Sequence, residues 1–376
     1  METSTDLAFG VGSFRFPFKQ MPSEGLLIHD YLELLKDTLE AVPNVEWVRY
    51  ETGSGPDDAL AVEEFEEDEL ELGFFPLGLV TTLDFRIHIP RRVQNELLTQ
   101  RWFSADSLEA EDFDISIQDG FASPITFVRP VGASRNSDPS QAVVVVRKFL
   151  EDQIDQLDTP LMFKILGPSP FHADCFLAAN TDPSRGVDVD FLATSSPIFG
   201  YAKLQFEYNT ARFRNLEEAW DALRFELRAE FDLYYEIAHE TQRRLVAWDR
   251  FEGDLDELVR LHTDTGLTAW VSRFVRVPTH LDTTIMTLAR YESNAITSAS
   301  HIADRMRSIY NSGRAVYLKL FAEEELARMA DAPTAQAERI LNLFESRRSK
   351  RVDSVLVLVS SIVGGAIGSV LTLVST

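Results

Sequence analysis

Two periodicities divide the chain. Up to about residue 210 the apolar positions fall mostly two apart. Phe14, Phe16 and Phe18 alternate with Arg15 and Pro17, and Leu83, Phe85, Ile87 and Ile89 alternate with Asp84, Arg86 and His88. A period of two predicts strands buried on one face. Between them Leu26, Leu27, Tyr31, Leu34, Leu35 and Leu39 stand at helical spacing, Pro43-Asn44 closes that helix, and residues 45–50 predict the next strand. The order then returns. A strand over 125–131 leads to Asp138-Pro139, an N-cap with proline at the first helical position. A helix over 140–157 follows, with strands at 161–166, 173–179, 187–193 and 201–208. This predicts an α+β N-terminal domain of two β-α-β-β-like halves. The segments YLELLKDTLEAVPNVEWVRY and VRKFLEDQIDQLDTPLMFKI match in pattern and not in identity, so duplication and chance likeness both stay open.

From Phe213 the period changes to three and four. Leu216, Trp220, Leu223, Leu227, Phe231, Tyr234 and Ile237 predict a long amphipathic helix. A second, over 281–310, carries Ile285, Leu288, Ala295, Ala299, Ile302, Met306 and Ile309 on one seam. Its roughly 45 Å suits a stalk. Asp331-Ala332-Pro333-Thr334 interrupts the helical pattern, and no proline follows. Residues 355–376 read VLVLVSSIVGGAIGSVLTLVST, without one charged side chain. As a helix this stretch covers roughly 33 Å, enough for a bilayer core. The expected layout is therefore a sensor-like domain over 1–210, stalk helices over 211–333, a juxtamembrane helix over 334–354 and a C-terminal transmembrane helix over 355–376.

Within that last stretch Ser360, Gly364, Gly368 and Thr372 recur every four residues, beside a second row of Ser361, Gly365 and Ser369. Small-residue rows let membrane helices approach closely, so these seven positions are candidates for helix packing or for lining a pore. Arg347, Arg348, Lys350 and Arg351 precede the stretch and predict a cytoplasmic body. The expected location is a single-pass protein of the inner (plasma) membrane.

Charge sharpens the division. Residues 1–200 hold 14 Lys and Arg against 35 Asp and Glu, net −21, and residues 201–376 hold 22 against 25, net −3, which together give the chain's −24. Such acidity argues against coating nucleic acid through clustered cations. The single cysteine, Cys175, excludes an internal disulfide.

Catalytic patterns are weak. His239-Glu240 is followed by Arg243 where a zinc-binding H-E-x-x-H would need histidine. His172 and Cys175 stand three apart, and such a cysteine is usually a buried hydrophobe. Asp188 and Asp190 share a strand face without the rest of a nucleotidyl-transfer site. The acidic run from Asp57 to Glu71 lacks the order of a calcium loop. The expectation is a protein that is not an enzyme, with no catalytic residue, metal or cofactor. Against this acidity a basic group stands out. Arg86 and His88 share a strand face, Arg91 and Arg92 follow, and Arg129, Lys164 and Arg185 lie near other predicted strands. Arginine forks pair bidentately with anions, so Arg86, His88, Arg91, Arg92 and Arg129 are candidate anion ligands.

The order of parts resembles CorA-type cation channels, with a cytosolic α/β domain, helical stalk and membrane segment. Those channels have two spans and a Gly-Met-Asn motif after the first, whereas here Gly364-Gly365-Ala366-Ile367-Gly368 sits mid-span, so magnesium transport is not carried over. The order also resembles membrane effectors of prokaryotic antiphage systems. The resemblance implies a homo-oligomeric, signal-gated channel or pore-forming effector, and the alternative is a tail-anchored scaffold or adaptor. The partners this implies are membrane lipid, further copies of the chain, and a nucleotide or oligonucleotide signal or a protein partner.

Overall fold

The computed structural model describes residues 6–346, apart from residues 24, 56, 67–71, 99–107, 109, 120–122, 134–136, 167–168, 183–187, 199–200, 264–266, 313–314 and 330–331. The chain divides into two compact units, residues 1–242 with 301–328, and residues 243–300 with 329–376.

The first unit is built on a sheet whose strands keep the period of two. In chain order it contains β1 (Asp6–Gly12), β2 (Phe14–Arg15), α1 (Ile28–Glu40), β3 (Val45–Thr52), β4 (Ala61–Glu66), β5 (Leu72–Leu77), β6 (Thr81–His88), α2 (Arg91–Leu98), β7 (Asp112–Asp119) and β8 (Ile125–Pro130). There follow α3 (Pro139–Asp155), β9 (Lys164–Ile165), β10 (Ala173–Ala179), β11 (Phe191–Ile198), β12 (Tyr201–Tyr208), the first part of α4 (Leu216–Thr263), the last part of α5 (Leu267–Tyr310), and α6 (Lys319–Arg328). Eight strands form the main sheet in the order β11-β12-β10-β1-β8-β7-β6-β3. Only β10 and β12 run parallel.

One face of this sheet carries α1 and α3. Leu83, Phe85 and Ile87 of β6 and Phe113, Ile115 and Ile117 of β7 pack with Leu32, Leu35, Val143, Val146 and Leu150 of the two helices. The approach of α3 to β1 is close enough to require glycine. A methyl group at Gly10 would fall 2.3 Å from the Pro139 carbonyl oxygen and 2.6 Å from Val143 Cγ2. The opposite face carries α4. Trp220, Leu223, Leu227, Phe231 and Tyr234 recur at three- and four-residue steps and pack on Phe9, Phe127, Leu177 and Phe206. Trp220 lies 4.7 Å from Phe9 and edge-on to Phe127 at 5.7 Å between ring centroids.

Charged groups close the gaps that packing leaves. Glu230, buried on α4, accepts the Tyr317 and Leu318 N–H groups at 2.9 and 2.8 Å, donors just before α6 that its own helix cannot satisfy. Burial raises the Glu230 pKa, and those two N–H groups offset part of the effect. Arg305 of α5 bridges Asp232 and Glu236 of α4.

The second unit is helical. Phe251 and Leu258 of α4 pack with Leu281 and Leu288 of α5 and with Ala337 and Leu341, which lie in a helical stretch described over 334–346. Arg244 donates to the Ala295 carbonyl at 2.7 Å.

The α+β N-terminal region and the mainly helical region after it agree with the periodicity. The transmembrane part of the expected fold class does not hold. Among the described residues no helix is long and apolar enough to cross a membrane. The long helices fail for a physical reason: α4 and α5 carry charges throughout, such as Glu217, Arg228, Glu240 and Asp254 on one and Asp282, Arg290 and Arg305 on the other. The 355–376 stretch, with Ser360, Ser361, Gly364, Gly365, Gly368, Ser369 and Thr372, lies outside the described residues, as do Arg347, Arg348, Lys350 and Arg351. The two supposed halves also differ in pairing. After α1 the chain enters β3, antiparallel to β6. After α3 it passes through β9, paired with β2 outside the main sheet, into β10, parallel to β12.

Gly10→Ala forces β1 and α3 apart against backbone. It should lower unfolding free energy by about 2 kcal/mol or more, an overpacking cost, as a shift in the urea midpoint.

Candidate functional site

The polar face of β6 and β7 meets α4 in a cleft. Alternation sends Asp84, Arg86 and His88 of β6, and Asp112, Asp114 and Ser116 of β7, away from the α1/α3 core. Strand register then lines residues up in rows. Trp47 stands opposite Arg86, Arg86 opposite Asp114, and Asp114 opposite Arg129. In the next row Arg49 stands opposite Asp84, Asp84 opposite Ser116, and Ser116 opposite Phe127. Above them α4 presents Glu217, Trp220, Asp221 and Arg224, a spacing that places all four on one side of a helix. The cavity between measures about 310 Å³.

Asp114 is the central group. Its carboxylate accepts from Arg86 Nε at 2.6 Å and from Arg129 Nη2 at 2.6 Å and Nε at 3.2 Å. Opposite charges directly across neighbouring strands stabilise the pairing. Burial alone would raise the Asp114 pKa, but the two guanidinium groups outweigh it and hold the carboxyl below its usual range. The hydrogen bond to Asp114 raises the Arg86 pKa. Burial opposes the charge of Arg129, yet Asp114 and Glu217 prevail and its pKa also rises.

Arg129 reaches α4 as well. Its Nη1 donates to both Glu217 oxygens, at 2.8 and 2.9 Å. The Glu217 side chain is 66% exposed, against 22% for Arg129, so the guanidinium is fixed and its partner is at the rim. Arg224 donates to Ser116 Oγ at 2.7 Å and to Asp221 at 2.5 Å, lies 3.6 Å from Asp84, and stacks on the Trp220 ring. Arg49 is exposed, lies over the Trp47 ring, and has no carboxylate partner among the described residues.

Of the five basic candidates from the sequence, Arg86 and Arg129 come together here. His88 lies further along the same face and bonds Asp112 at 2.7 Å. Arg91 and Arg92 open α2 and are not among the residues lining the cleft. The Arg92 side chain instead pairs with Glu96, one turn along. The site residues that the basic-cluster reading passed over are Asp114, Trp47, Arg49, Glu217, Trp220 and Arg224. The alternation in DFDISIQD, residues 112–119, was the available signal for Asp114.

Cys175 is fully buried, and burial pushes its thiol well above the ordinary value. Asp190 pairs with Arg212. Among the described residues no cluster of His, Cys, Asp and Glu is arranged to hold a metal ion.

No protein-family model, curated protein or solved structure matches this chain. The likeness to CorA-type channels and antiphage effectors was one of domain order and finds no relative to carry it. With no described helix able to cross a membrane, the channel or pore reading, the antiviral role, the tail-anchored adaptor, the inner-membrane location and the lipid partner do not stand. The expected homo-oligomer, nucleotide signal and protein partner rested on that reading, and no relative supports them.

Asp114→Asn removes the charge shared by two arginines. It should cost about 2 kcal/mol of stability at neutral pH, within the range for a partly buried ion pair broken on one side. A carboxyl with depressed folded pKa stabilises above its unfolded value, near about 4, and loses that contribution as pH falls through the folded pKa. Denaturant curves for parent and variant should therefore differ at pH 7 and converge only below about pH 4.

Proposed function

We propose that the first unit binds a small, multiply charged anion in the cleft between the sheet and α4, and that it binds without catalysing a reaction. The observation carrying this reading is the Glu217 carboxylate on Arg129. It is an exposed, replaceable anion held by a guanidinium that Asp114 has already fixed in place. An exposed ion pair contributes little, so an incoming phosphate or carboxylate group can take over the Arg129 Nη1 donor at small cost. Arg49 from the sheet and Arg224 from α4 line the same cavity, and Trp47 adds apolar surface beneath Arg49. Guanidinium forks suit such ligands better than ammonium groups do.

The titrations support binding over catalysis. Asp114 moves down while Arg86 and Arg129 move up, so each keeps its charge across the physiological range. General acid–base catalysis favours a group near neutrality.

Calorimetric titration of the whole chain with inorganic pyrophosphate at low salt tests the reading. Glu217→Ala should tighten binding by about two- to fivefold, the worth of an exposed pair, and Arg49→Ala should weaken it comparably. Arg91→Glu with Arg92→Glu should leave it unchanged. Absence of binding at millimolar pyrophosphate, or a Glu217→Ala variant that binds no better than the parent, contradicts the proposal.

A further inference from the structure

Among the described residues the eight-stranded sheet ends at β11, which pairs with β12 alone. Asn209 donates its N–H to the Asp190 carbonyl at 3.0 Å, while Ala202 N–H and the Tyr208 carbonyl bond toward the β10 side. In an antiparallel pair the bonded positions alternate. Residues 190, 192, 194 and 196 therefore turn their backbone groups toward β12, and Phe191, Ala193, Ser195 and Pro197 turn theirs outward. Pro197 occupies an outward position, where its missing N–H costs the sheet nothing. Ala193 and Ser195 leave two N–H and two carbonyl groups along the exposed edge, while Phe191 is buried.

Edge strands are usually blunted by charge, proline or distortion, and here the one such residue is Pro197, near the end of β11. No residue from Phe191 to Ile198 is charged, although residues 1–200 carry net −21. The register with β12 is unbroken over all eight residues, and Ala193, Thr194, Ser195 and Ser196 are exposed.

The chain enters β11 directly from the wall of a cavity of about 890 Å³. Asp188, Asp190, Glu226 and Glu230 line it, against the single cation Arg212. Arg212 is held by Asp190 and the Asp188 carbonyl, and Glu226 accepts the Tyr317 hydroxyl at 2.8 Å. The Asp188 side chain is exposed and has no partner among the described residues. Phe225, 73% exposed, supplies an aromatic surface at the same cavity.

We propose that β11 takes up an extended peptide segment of another protein as a ninth strand, and that the cavity receives a lysine or arginine side chain of that segment. Backbone bonds along the edge supply affinity independent of sequence, and a side-chain pocket supplies selectivity. The carboxylates and the Phe225 ring fit a cation, and the uncharged edge removes the repulsion that would otherwise bar a neighbouring strand.

The test is fluorescence polarisation of the whole chain with the labelled peptide acetyl-Lys-Thr-Val-Thr-Val-Thr-amide, compared with the same peptide carrying Glu in place of Lys. The lysine peptide should bind about tenfold tighter or better. Ser195→Pro removes an outward N–H at a position like that of Pro197, and should abolish binding of both peptides while the thermal midpoint stays within a few degrees. Asp188→Lys with Glu226→Gln should erase the preference for lysine without removing edge binding. If the lysine peptide fails to bind at millimolar concentration, if folded Ser195→Pro binds as the parent does, or if the Lys and Glu peptides bind equally, the proposal is wrong.

Discussion

A single carboxylate organises the polar face of the first unit. Asp114 stands directly between Arg86 and Arg129 on neighbouring strands, and its charge makes it possible for two guanidinium groups to be held side by side beneath a helix. Without it, burial would disfavour both cations and their mutual repulsion would separate them. With it, Arg129 has a free nitrogen to extend to Glu217, and the first turn of α4 is tied to the sheet beside the Trp220 anchor. The cleft is the space left where aromatic packing under α4 gives way to this charged row.

That boundary follows from strand alternation. On β6 and β7 every second residue is large and apolar, and these close the core against α1 and α3. Their polar neighbours are then obliged to face α4. An acidic region therefore acquires a locally balanced patch of arginines and carboxylates, held by β-sheet register and not by loops. Groups positioned by regular strands move little, which suits a site that binds by preorganised charge.

Much of this was legible in the sequence, and the omissions have physical causes. β10 and β12 occupy the predicted residues 173–179 and 201–208, the first as a short apolar run and the second through Leu204, Phe206 and Tyr208 alternating with Lys203, Gln205 and Glu207. β1 was missed. Its stretch DLAFGVG is buried on both faces and contains two glycines that serve packing against α3, so it shows no alternation. β7 was missed despite alternating clearly, and with it went Asp114, the residue that explains the arginines. The acidic run from Asp57 to Glu71 was weighed as a calcium loop and not as a strand, yet β4 begins within it at Ala61 and pairs with β5. Arg91 and Arg92 looked continuous with Arg86 along the chain. The helix that begins at Arg91 takes them off the strand. The membrane expectation drew on the uncharged stretch 355–376, and its extension to a channel drew on an order of parts shared with other proteins. Long amphipathic helices followed by an apolar run are common to many architectures and specify no activity.

The central claim is that an anion exchanges with Glu217 on Arg129. Two-dimensional ¹⁵N NMR of arginine Nε–Hε signals during addition of inorganic pyrophosphate observes that exchange at the atoms concerned. The account predicts saturable shifts for Arg129, Arg224 and Arg49, with Arg91 and Arg92 unmoved. Signals of Arg129 and Arg49 that stay in place throughout the titration, or shifts confined to Arg91 and Arg92, would contradict it.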